Sequence, residues 1–245
     1  MNVEKISLIG RKNFKYNENI TINIPTLRQI RDEIDDESLF WNEVNLFIQT
    51  PTDMISELDS VDIDFEKISD YELFIFLFSL KKKSSTLNKS ILFCNFSLWD
   101  LNVCNGKDKY FLADNNGKMI IDIDIYNDIS KIISVVSGYS KTKRKKFGNA
   151  YAKKKRIEQD YKQKEKLRTQ NNEQSNVLDS IILRLVCNTN FPYNFETIQD
   201  VTIYDLFQSL RQIDKDIEVT DLMQSRLVGN DLSKIPSKQL SRFIL

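Results

Sequence analysis

The sequence predicts an α+β fold with three parts. These are an N-terminal α+β domain with small antiparallel strands (residues 1–140), a long basic helical connector (141–173) and a C-terminal all-helical domain (174–245). Three observations carry this. Short apolar segments of period two are confined to the first part, helical apolar stripes fill the last, and residues 149–171 contain neither Gly nor Pro. The 245-residue chain is 41% apolar with fifteen Phe, enough for a sizeable core, and its six Gly and four Pro are few enough to favour regular structure.

Ile6 and Leu8, then Ile20, Ile22 and Ile24, alternate with polar residues. This predicts a β-hairpin over residues 5–24 with a polar loop at 13–19. Pro25 ends it, and Thr26 with Gln29 has the spacing of a capping box that opens a helix. A second helix is expected over 36–50, where Leu39, Phe40, Val44, Phe47 and Ile48 share a stripe and Pro51 stops the run. Residues 52–58 suit a further turn or two. Ser69 and Glu72 form a second capping box, opening a helix to about residue 82. That helix is apolar almost all round at LFIFLF (73–78), which predicts deep burial. Lys81, Lys82 and Lys83 suit its C-terminal dipole.

ILFCNF (91–96), KYFLAD (109–114) and KMIIDI (118–123) read as strands, with Asn-Asn-Gly at 115–117 as a tight turn. A helix follows over 126–137, closed by Gly138. Residues 149–171 predict a long, exposed, mostly polar helix on a flexible hinge at 147–149. In VLDSIILRLVC (177–187), Ile181, Ile182, Leu185 and Val186 lie on one face, and Pro192 breaks the run. Thr202 caps a helix to about residue 214, and VTDLMQSRLVG (219–229) adds another, ended by Gly229.

Charge is strongly polarised. Thirteen Lys or Arg and three acids in residues 141–168 leave that stretch at +10 and the remainder at −10, although the whole chain is neutral. Three readings follow for the basic stretch. It binds phosphates, with Tyr151 and Tyr161 able to stack on bases; it is a solvated strut aided by pairs such as Glu158 with Lys162; or it docks on an acidic protein surface, including that of a second copy. The stretch carries no fold signature of sequence-specific nucleic-acid binding, which favours the strut or the protein dock. The candidate partner-binding residues are Lys143, Arg144, Lys145, Lys146, Lys153, Lys154, Lys155 and Arg156.

The chain has no histidine, which removes Ser-His and Cys-His nucleophile schemes and His-ligated metals. Acids crowd at Asp32, Glu33, Asp35, Asp36 and Glu37, alternate at Asp59, Asp62 and Asp64, and again at Asp122 and Asp124. Alternating carboxylates suit a divalent cation or a paired-carboxylate hydrolase. Acids at helix starts and strand ends are commonplace, however, and the spacing from Asp59 does not fit an EF-hand loop. Cys94, Cys104 and Cys187 are odd in number and contain no CxxC pair, so reduced thiols are expected. There is no Gly-rich phosphate loop and no Gly-x-Ser-x-Gly elbow. No catalytic residue, metal or cofactor is assigned. The opening MNVEKISLIGRK lacks a signal-peptide core, and LFIFLF is too short to span a bilayer, so a soluble protein without membrane contact is expected.

The order of segments resembles a known group. IPTLRQI follows the hairpin, then FIQTPTDMISELDSVDIDFEKISDYELFIFLF, then SVVSGY, the basic FGNAYAKKKRIEQDYKQKEK, and finally VLDSIILRLVCNTNFPYNFETIQDVTIYDLFQSLRQID. This is similar to tail-morphogenesis proteins of tailed phages and prophages of Gram-positive bacteria, and in organisation to tail or baseplate assembly chaperones. The most specific segments are TPTDMISELDSVDIDFEKISDYELF and DVTIYDLFQSL. The basic run at 141–146 and the linker at 94–109 depart from the pattern. The resemblance implies a non-enzymatic protein that binds other tail or baseplate proteins, with self-association possible. It implies residence in the host cytoplasm during assembly, or in the virion tail. The alternatives are a permanent structural component of the tail or baseplate, and a nucleic-acid binder acting through residues 141–168.

Overall fold

The computed structural model describes residues 8–32, 37–84, 90–106, 109–144, 146–170, 177–188 and 191–227. The fold is α+β, with eight helices and two small antiparallel sheets among the described residues. Strands β1 (Asn13–Lys15) and β2 (Thr21–Asn23) form a hairpin. Helices α1 (Leu27–Asp32), α2 (Glu37–Ile48), α3 (Ile55–Asp59) and α4 (Asp70–Ser84) follow. A three-stranded sheet in the order β3 (Asn102–Asn105), β4 (Tyr110–Ala113), β5 (Ile120–Ile121) leads into α5 (Ile123–Ser137). Helices α6 (Ala150–Gln170), α7 (Val177–Val186) and α8 (Ile203–Leu227) complete the described chain.

Local chemistry sets most helix starts. Thr26 and Gln29 bond reciprocally, each side chain taking the other's backbone N–H at 3.2 and 3.0 Å, and Ser69 with Glu72 does the same at 3.1 and 2.7 Å. Asp122 caps α5 by accepting the N–H groups of Asp124 and Ile125. At the other end Gly138 is left-handed (φ 71°), and the Phe207 ring sits 2.8 Å from where a Cβ would stand. No side chain but hydrogen fits there.

Several expectations need correction. In the hairpin, the first strand falls on Asn13–Lys15 inside the expected loop, with Phe14 buried opposite Ile22. The turn shrinks because the Asn17 carboxamide accepts the N–H groups of Asn19 and Ile20. Ile6 lies outside the described residues. Residues 91–96 form no strand but an isolated bridge, Phe93 to Ile22, with Asn23 and Cys94 N–H groups donating to Leu92 and Thr21 carbonyls. Of residues 118–123 only Ile120 and Ile121 are strand, and β3 was not expected at all. The two C-terminal helices are one continuous α8, since residues 215–218 hold no Gly or Pro to break it. Gly229 lies outside the described residues.

One core gathers side chains from the whole described chain. At its centre Tyr126 is fully buried against Phe74 (4.7 Å between ring centroids), Tyr71 (5.4 Å) and Phe47 (6.1 Å). Helix α4 is covered by its neighbours at Leu73, Phe74, Leu77 and Phe78, as its all-round apolar sequence requires. Its Tyr71 hydroxyl sits 2.9 Å from the Tyr110 carbonyl and 3.0 Å from that of Ile121, which fixes α4 to the sheet. Desolvation raises this phenol to about 12, with Asp122 adding to the shift. Leu178, Ile182 and Leu185 of α7 and Ile203 and Leu206 of α8 join the same core. The starts of α1 and α8 are bonded directly: Ile203 N–H donates to Pro25 (2.8 Å) and Leu27 N–H to Val201 (3.1 Å). Among the described residues no helix is long and apolar enough to cross a membrane.

Glu43 lies on the buried stripe of α2 between Phe40 and Phe47 and is only 3% exposed. Its carboxylate accepts from four donors, the Ser90 hydroxyl, the Ile91 and Leu92 N–H groups and the Trp99 indole, at 3.0 to 3.1 Å. Burial pushes this carboxyl up from its ordinary value, and the four hydrogen bonds pull it part of the way back. The bonds explain why residues 91 and 92 depart from strand geometry: their N–H groups are satisfied by Glu43 rather than by a ladder. Replacing Glu43 by Gln puts an NH₂ group against either the indole or the two backbone N–H donors. We expect Glu43→Gln to lower the urea midpoint with an unchanged slope, a loss of about 1–3 kcal/mol.

Candidate functional site

The basic connector does not stand free. Its inward side chains meet the acidic turns that follow α3. Lys153 pairs with Asp64 and with Glu66 (3.4 Å) and lies 5.1 Å over the Phe65 ring. Lys164 pairs with Glu57 and with Asp160 (2.9 Å). Arg144 donates to the Ile68 carbonyl, and Lys141 lies 3.6 Å from Asp70 and 4.8 Å over the Tyr126 ring. The expected hinge at 147–149 is pinned at its first residue, where Phe147 packs on Phe65 and its N–H donates to Glu66 at 2.8 Å.

The tightest contact is at α3. This five-residue helix begins after Met54, which offers no side-chain cap. Asp160, 6% exposed, supplies one from 104 residues away, accepting from the Ser56 N–H (3.1 Å) and hydroxyl (2.7 Å). Tyr161 adds a bond from its hydroxyl to the Ser56 carbonyl at 2.9 Å. Desolvation alone would raise the Asp160 carboxyl, but its bonds to Ser56 and Lys164 outweigh that and hold it below the ordinary 3.8. The hydrogen bond that Lys153 donates to Asp64 lowers the Asp64 carboxyl and raises the Lys153 ammonium.

The candidate cations therefore divide. Lys153 is committed to Asp64, and Arg144 to the Ile68 carbonyl. Lys143, Lys146, Lys154 and Lys155 are exposed, Arg156 is half-buried, and Lys145 lies outside the described residues. Asp59, Asp62 and Asp64 lie at the end of α3 and in the turns beyond it, not on a strand face. Asp122 serves as the α5 cap, while Glu33, Asp35 and Asp36 lie outside the described residues. Among the described residues no group of three His, Cys, Asp or Glu is placed to hold a metal. The three cysteines are free thiols.

A second feature escaped the sequence. Between α4 and the inner face of the three-stranded sheet lies an open groove of about 780 Å³. Ile75 and Phe76 of α4 form one wall, Val103 of β3 and Tyr110 of β4 the other, with Ile63 and Ile68 at one end. Val103 (38% exposed) and Tyr110 (54%) overhang α4, leaving apolar surface open. The signal was weak because β3 reads Asn-Val-Cys-Asn, without an apolar run. In the sequence Asp160 was legible only as one of the three acids of the basic stretch, without a signal that set it apart from Glu158 or Glu165. Comparison with family models, curated proteins and solved structures found no match to this chain.

The clasp has a defined pH limit. Asp64 and Asp160 are depressed below 3.8, so their stabilisation is present above that value and is lost as pH falls through the lower folded values. Hydrogen exchange at about pH 6 and about pH 3 should show α6 losing protection at the acid value before α5 does. Asp160→Asn should raise α6 exchange at neutral pH, by an amount equivalent to about 1–3 kcal/mol.

Proposed function

We propose that this chain is a non-catalytic phage protein that acts in tail or baseplate assembly by binding other tail proteins. The observation that carries the protein-binding part is the open apolar groove beside α4, where the chain's own elements leave Val103 and Tyr110 exposed. The order of sequence segments supports the tail-assembly setting. In this reading the groove holds a segment of an incomplete subunit. The exposed Lys143, Lys146, Lys154 and Lys155 steer the encounter, since the inward cations are already neutralised by the body.

Cross-linked co-purification from phage-producing cells tests this. Val103→Glu, which places a charge on an exposed groove wall, should reduce capture of tail components at least about tenfold. Reversing the four exposed lysines should instead slow association and flatten its salt dependence, leaving dissociation nearly unchanged. Absence of any tail component from the cross-linked material would reject the reading. Mass spectrometry of finished particles then separates a transient assembly factor from a permanent component, which would be present in stoichiometric amount.

A further inference from the structure

We infer that the groove takes an extended segment of a partner protein, with apolar side chains at alternate positions and acidic residues at its flanks. The inference rests on the protein-binding reading above and adds the conformation and charge of the occupant.

The conformation follows from β3, an outer strand of the sheet. The Gly106 N–H donates to the Lys109 carbonyl at 2.9 Å, which sets the alternation of the β3–β4 ladder. Val103 and Asn105, opposite Leu112 and Tyr110, then direct their own N–H and C=O groups away from β4. No described residue forms a backbone hydrogen bond to either. A strand laid along this edge gains those bonds and sends every second side chain to the Val103 face, over Ile75 and Phe76.

The charge follows from what is already spent. Four charged side chains line the groove: Asp64, Glu72, Lys67 and Lys109. Asp64 is paired with Lys153, and Glu72 accepts from the Ser69 N–H and hydroxyl. Among the described residues neither Lys67 nor Lys109 is in an ion pair. With Asp64 offset by Lys153, Glu72 keeps its charge against Lys67 and Lys109, so the rim carries one net positive charge and favours acidic flanks. Residues 228–245 of the chain itself carry Lys234, Lys238 and Arg242 against Asp231, the wrong sign for this rim.

The test is an NMR titration of the full chain with three synthetic peptides. They share the core Thr-Val-Thr-Ile-Thr-Phe and carry paired Glu, paired Ser or paired Lys at both ends. The Glu-flanked peptide should bind at least about tenfold tighter than the Lys-flanked one. Its shifts should centre on Val103, Asn105 and Tyr110, with the Val103 and Asn105 amides becoming protected from exchange. Lys67→Glu combined with Lys109→Glu should invert the order of affinities while the chain stays folded at the titration temperature, as its NMR spectrum checks. Equal affinity for Glu and Lys flanks, shifts mapping elsewhere, or no shift at about 1 mM peptide would each overturn the inference. Tail components that still cross-link undiminished to Val103→Glu would overturn it together with the groove's part in capture, whereas failure of the peptide titration alone, with capture by Val103→Glu reduced, overturns only the conformation and charge assigned to the occupant.

Discussion

A buried phenol needs hydrogen-bond partners, and meeting that need for Tyr126 organises this molecule. Its ring fills the space between Phe47, Phe74 and Tyr71, so the hydroxyl cannot reach bulk water. The end of α2 and the start of α4 bring the Phe47 and Asp70 carbonyls to 3.4 and 3.3 Å, and Lys141 donates at 3.1 Å. Three helices and the first residue of the basic stretch therefore converge on one oxygen. Desolvation raises the phenol far above its ordinary value, with Asp70 adding to the shift. Lys141 is pulled below its own ordinary value by the same burial, partly offset by Asp70. The connector is thus anchored in the core before it begins.

The polarised charge acquires a structural meaning from this anchoring. A segment at +10 and a remainder at −10 suggest a molecule looking for a partner. Part of the imbalance is settled within the chain. Lys153 and Lys164 face Asp64, Glu66, Glu57 and Asp160, and the remaining cations on the outer side lie among Glu158 and Glu165. What distinguishes the Asp160 contact from a surface ion pair is its burial and its hydrogen bonds to Ser56, which confer geometry as well as attraction. The helix is very polar, yet Asp160 on its inner face is as buried as a core residue.

Elements governed by local chemistry were legible in the sequence. The capping boxes at Thr26 and Ser69, the Gly138 terminator and the Asn-Asn-Gly turn each follow from neighbours within four residues. Elements governed by distant partners were not. Residues 91–96 have strand composition, but Glu43 claims the Ile91 and Leu92 amides from 48 and 49 residues away. Residues 147–149 carry hinge composition, but Phe65 and Glu66 hold Phe147 in place. The absence of a breaker at 215–218 was readable and favours the one helix observed over the two expected. The groove depends on β3, whose four residues gain strand form only by pairing with β4.

The missing cap at Met54 bears on how the chain is made. A single turn such as α3 has no stability of its own, because nucleation costs more than one turn returns. Its Ser56 N–H is met by a carboxylate that leaves the ribosome 104 residues later. During synthesis this turn must wait, unformed, while the intervening strands and helices emerge. Vectorial translation therefore leaves the acidic face open until the nascent chain delivers its own counter-charge.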